Sequence, residues 1–67
     1  MKNYKLAKAV DDYCYKHDIT MYKFGIIADV HKTGLYSYMQ DDSKLPNLKT
    51  AFKIARVLNL SVEELWG

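Results

Sequence analysis

Residues 20–38, TMYKFGIIADVHKTGLYSY, leave a chain of this length few ways to fold. The stretch reads as two short helices joined by a tight turn. Thr20 is a good N-cap, because its hydroxyl accepts a hydrogen bond from a free amide of the first helical turn. Ile19 before it and Phe24 after it occupy the two positions of a hydrophobic staple. Phe24, Gly25 and Ala28 share one helical face. Asp29 follows, and aspartate is one of the few non-glycine residues that tolerates a left-handed turn. Val30 is then expected to plug the turn. Leu35 and Tyr38, three apart, give the second of these helices its inward face. Lys32, Thr33, Tyr36 and Ser37 are left pointing outward.

The rest of the chain supplies the support. With 67 residues it forms one domain, residues 1–67, and a domain of this size buries roughly 60% of its unfolded surface. A first helix is expected over residues 3–17, with Asn3 as its cap. Leu6, Val10, Tyr13, Cys14 and His17 make its amphipathic stripe. Asp18 belongs to the turn that follows. The third helix begins near His31 or Lys32 and ends near Met39 or Gln40. Local propensity does not explain it, since His31 is a poor cap and Gly34 costs about 0.5–1 kcal/mol against alanine. Packing of Leu35 and Tyr38, or a partner, has to hold it. Gly34 also lets another molecule approach closely.

DDSKLP, residues 41–46, is a loop of turn-forming residues. Asn47 caps a fourth helix with Leu48, Ala51, Ile54, Ala55 and Leu58 on one face. Asn59 suits the left-handed position that ends it. Ser61 and Glu64 form a capping box, and Leu60 with Leu65 a staple, for a short fifth helix of about 62–66. No segment alternates like a strand, so the expected fold is all-α with five helices.

Composition excludes more than it identifies. Cys14 is the single cysteine, so no internal disulfide forms, and without a signal peptide the expected compartment is cytoplasmic. On the buried stripe it reads as a small inert apolar group. Cys14, His17 and His31 fit no zinc spacing, so no metal and no cofactor is expected. Asp11, Asp12, Asp41 and Asp42 read as solvated charges with no cleft to tune them, which argues against an enzyme. No apolar run approaches the ~20 residues of a membrane span. No small-molecule ligand is evident. The net charge of +2 neither demands nor excludes nucleic acid.

Two helices, a short turn and an outward polar face describe a helix-turn-helix at about residues 20–39. Here the chain resembles the Cro and phage-repressor type, the XRE or lambda-repressor-like family, over residues 10–66. The tail NLKTAFKIARVLNLSVEELW looks like the family's S-L-x-T-L-x-K-[IL]-A-x-A-L-x-V-S-x-x-E-L-[FW]. The family's T-Q-x-x-L-A-x-x-x-G-V-S falls on residues 20–31. Thr20 and Val30 match it, while Met21, Phe24, Gly25, Asp29 and His31 replace its Gln, Leu, Ala, Gly and Ser.

The resemblance implies a five-helix lambda-repressor-like domain and a sequence-specific regulator of transcription. It would act as a repressor by occupying an operator on double-stranded DNA. Carried over by position, Lys32, Thr33, Tyr36 and Ser37 are the base-contact residues. Lysine can donate to guanine, threonine offers a hydroxyl and a methyl, and serine donates or accepts. Lys23, Gln40, Lys44, Asn47 and Lys49 would hold phosphates, together with Met21 through its backbone amide. Cys14 and Met39 stand where family members often bury an arginine–glutamate pair, so these two are expected to touch. A weak homodimer is expected through Val62, Leu65 and Trp66, because a five-residue helix is too short to bury all three. The competing expectation folds Trp66 back onto the first helix near Leu6 or Val10. A rival reading, a protein-binding module such as an antitoxin or inhibitor, draws on Tyr22, Tyr36, Tyr38 and Gly34. Asp41 and Asp42 offset two of the nearby lysines.

Overall fold

A side chain takes up a free amide at the start of every helix in the computed structural model, which describes residues 1–67. Asn3 opens α1 (Tyr4–His17), Thr20 opens α2 (Met21–Ala28) and His31 opens α3 (Lys32–Gln40). Asn47 opens α4 (Leu48–Leu58), and Ser61 opens α5 (Val62–Trp66) with Glu64 completing the capping box. The His31 cap is the unexpected one. Its ring Nδ1 accepts from the Thr33 amide at 3.2 Å, so an imidazole does what a shorter polar side chain usually does.

Three helices stop in the same way. Asp18, Asp29 and Asn59 are left-handed, with φ of 52°, 58° and 57°. The residue after each then donates its amide five positions back: Ile19 to Cys14, Val30 to Gly25 and Leu60 to Ala55, at 2.9–3.0 Å. This satisfies carbonyls that a helix end would otherwise leave unpaired. The turn after α2 also needs Gly25. A Cβ there would stand 2.8 Å from the Val30 carbonyl oxygen.

The helices enclose one core. Leu6, Ala7 and Val10 come from α1, Phe24 and Ala28 from α2, Leu35 and Met39 from α3, Ile54 and Ala55 from α4, and Leu65 from α5. Tyr13 closes one side, edge-on to Phe24 with 5.5 Å between ring centroids. At the other end Asn3 is a three-way tie. Its amide donates to the Met39 carbonyl at 2.9 Å. Its side chain accepts from the Leu6 amide and donates to the Leu65 carbonyl, both at 3.0 Å. A single buried asparagine thus joins the start of α1 to the ends of α3 and α5.

Several expectations are corrected. Leu65 is a core residue, 1% exposed, and so is unavailable to a partner. Val62 and Trp66 are half-buried and pack against the same core. The short helix buries most of its apolar surface because it lies against both α1 and α4. The backbone of Met39 meets the start of α1, and the Cys14 thiol lies in its last turn. The Met39 carbonyl is bound at Asn3, whereas the Cys14 thiol is 3.9 Å from the Thr20 carbonyl. Eleven residues of helix separate those points, a rise of about 16 Å. The α1 stripe also thins toward its end, where His17 is exposed and stacks on Tyr13 at 4.2 Å. On α4, Leu48 is turned outward and 65% exposed. No helix is long and apolar enough to cross a membrane.

Candidate nucleic-acid interface

Burial of Leu35 and Met39 fixes the rotation of α3 about its axis. With those two side chains in the core, Lys32, Thr33 and Tyr36 are exposed, and Ser37 is half-buried at the edge of the same surface. Lys32 and Thr33 occupy the first turn of α3, beside the His31 ring that caps it. Gly34 is not demanded by the fold. A Cβ there would meet only the Tyr38 ring, at 3.8–3.9 Å, which is ordinary contact.

The outer side of α2 meets this turn. Tyr22, Gly25 and Ile26 from α2 line one open groove with Asp29, Val30 and His31 of the turn and Lys32 and Thr33 of α3. The groove has a volume of about 660 Å³. Tyr22 is 63% and Ile26 56% exposed, and Tyr36 nearby on α3 is 54% exposed. The surface therefore alternates apolar bodies with a few hydrogen-bonding groups. Sequence reasoning placed Lys32 and Thr33 here but gave Ile26 no role. An isoleucine outside the apolar face of an amphipathic helix was the available signal.

Electrostatics of the groove turn on Lys53, which sequence reasoning missed. From α4 its ammonium donates to the Asp29 carboxylate at 2.9 Å and to the Asp29 carbonyl oxygen at 3.4 Å. That hydrogen bond, then the lysine's charge, hold the Asp29 carboxyl below the usual carboxylate range. The one acidic side chain lining the groove is thereby matched, and Lys32 is its unpaired cation.

The residues expected to hold phosphate are more scattered. Lys23, Gln40, Lys44, Asn47 and Lys49 are all exposed. The Asn47 oxygen is occupied by the Thr50 amide at 2.8 Å, so only its Nδ2 remains to donate outward. The Met21 side chain is half-buried against the core. The amide of Lys23 goes to the Thr20 hydroxyl and that of Phe24 to the Thr20 carbonyl. Those of Met21 and Tyr22, at the very start of α2, are left for an outside acceptor. In the loop after α3, Asp41 accepts from the Ser43 hydroxyl at 2.7 Å and from its amide at 3.0 Å. These bonds lower the Asp41 carboxyl below its ordinary value and keep a negative charge close to Lys44. Asp42 faces the N-terminal amine at 3.6 Å.

Val62 and Trp66 lie elsewhere, around a small apolar hollow of about 160 Å³ shared with Leu45, Pro46, Leu48 and Ala51. The Trp66 indole nitrogen is buried without a hydrogen-bond partner. No family model, curated protein or solved structure matches this chain.

Proposed function

We propose that the chain is a cytoplasmic helix-turn-helix DNA-binding regulator of the lambda-repressor-like kind, without enzymatic activity. In this reading α3 enters the major groove and α2 crosses the adjacent backbone. The observation that carries it is the rotation of α3. Leu35 and Met39 are buried while Lys32, Thr33 and Tyr36 stand free on the opposite face, and no residue of the chain itself covers them. The free amides of Met21 and Tyr22, with Lys23, would hold one phosphate run. Gln40, Lys44, Asn47 and Lys49 would hold the other. Repression then needs only that the operator be occupied.

One such helix spans too few base pairs for a specific site, so two copies would bind half-sites about one helical turn apart. Val62 and Trp66, together with the exposed Leu45 and Leu48 beside them, are the surface proposed for this weak dimer. Binding-site selection from random duplexes tests the reading. An enriched motif with twofold symmetry is expected. A second reading, a protein-binding module, is favoured by the exposure of Tyr22, Ile26 and Tyr36, since aromatic residues are enriched at interfaces. A selection that enriches nothing, even at low salt, supports that second reading.

A further inference from the structure

Two apolar side chains of the α2–α3 groove, Tyr22 and Ile26, lie outside the core, and the DNA reading above gives neither side chain a contact. Tyr22 and Ile26 are one helical turn apart on α2. Both line the groove whose other wall is Lys32 and Thr33, the first turn of α3. More than half of each apolar side chain is accessible, so neither is needed to fill the core. Thr33 adds a methyl group to the same groove. Charge complementarity identifies the occupant class. Asp29, the only acid in the lining, is matched by Lys53 at 2.9 Å, and Lys32 is left as an unpaired cation facing outward. An anion with apolar projections complements that surface.

Thymine is the base that presents such a projection, because its 5-methyl group stands in the major groove and is read by apolar contact. We propose that Tyr22 and Ile26, together with Thr33, form an apolar slot that reads thymine methyl groups of a DNA duplex, which makes α2 a specificity element and not only a backbone clamp. This rests on the DNA-binding reading. Guanine reading by Lys32 and methyl reading by the slot would then set adjacent positions of the same half-site.

The test replaces thymine by uracil, which removes the methyl and leaves every hydrogen-bonding group and phosphate in place. The probe is the duplex enriched by selection, compared with the same duplex synthesised with deoxyuridine at each thymine in turn. One methyl buried against an apolar surface is worth about 0.8 kcal/mol, so uracil at the read positions should weaken binding about fourfold each. Ile26→Ala should weaken the thymine duplex and bring the thymine-to-uracil ratio at those positions close to one. Ile26 is surface-exposed, and circular dichroism of the variant checks that the helices persist. Equal binding of the thymine and uracil duplexes overturns the slot while leaving DNA binding intact. A full methyl preference retained by both Ile26→Ala and Tyr22→Ala also overturns it. Failure to bind any duplex overturns the slot together with the reading on which it rests.

Discussion

Lys53 on α4 holds both the carboxylate and the carbonyl oxygen of Asp29, the left-handed residue that ends α2. The ammonium thus fastens the turn between α2 and α3 to a helix that contributes nothing to the turn's own sequence. It also removes a negative charge from the groove in which Lys32 lies.

This contact gives stability a defined pH dependence. The folded Asp29 carboxyl titrates below its ordinary value of 3.8. Its contribution is therefore present above the unfolded value and is lost as pH falls through the folded value. Lys53→Met should be less stable than the wild type at pH 7 and converge on it in acid. Urea melts of both proteins between pH 7 and about pH 2 are the measurement. A difference that stays constant across that range would mean the carboxylate contributes nothing.

Asn3 should be costlier to lose than an ordinary helix cap. Asn3→Ala abandons the Leu6 amide and the buried Leu65 carbonyl together, so a loss of about 2–4 kcal/mol is expected. Asn3→Asp keeps the cap but cannot donate to Leu65. It should recover less than half of the loss. Equilibrium unfolding of the two variants separates the cap from the tie to α5.

The two helical glycines should respond oppositely to alanine. At position 25 the new Cβ would press on the Val30 carbonyl at 2.8 Å. Overpacking of about 1–3 kcal/mol there should exceed the helix-propensity gain of about 1 kcal/mol. At position 34 only the Tyr38 ring is near, at ordinary contact distance, so alanine should stabilise the fold by about 0.5–1 kcal/mol. If DNA approaches α3 closely, Gly34→Ala will also bind its site more weakly. Greater stability with unchanged affinity would place the interface elsewhere.

Contacts to bases and to phosphates should separate by their salt dependence. Lys32→Ala or Ser37→Ala is expected to cost about 1–3 kcal/mol on the selected site and to relax preference at one position. Lys44→Ala should weaken all duplexes alike and lower the salt slope by about one. Titrations on selected and scrambled duplexes at several salt concentrations distinguish the two classes. Ser37 is the sharper case, since it is half-buried and reaches a base only if α3 lies deep in the groove.

The sequence by itself determined where α1, α2, α4 and α5 begin and where α2 and α4 end. Asn3, Thr20, Asn47 and the Ser61–Glu64 box act on amides within three residues, and Asp29 and Asn59 terminate helices through their own backbone preference. Such features depend on short covalent spacing, which a chain carries whatever it packs against. The outward set Lys32, Thr33 and Tyr36 was legible for the same reason, as the complement of Leu35 and its helical neighbours. Tertiary structure alone decided the pairings between elements. It joined Lys53 to Asp29 and Asn3 to Met39 and Leu65. It turned Leu48 out, although the spacing put it on the apolar face of α4, and Leu65 in, although the spacing left it for a partner. Periodicity defines a stripe that is wider than any one contact. Which edge of it is covered depends on where the neighbouring helices lie, and that position follows from the joint packing of all five.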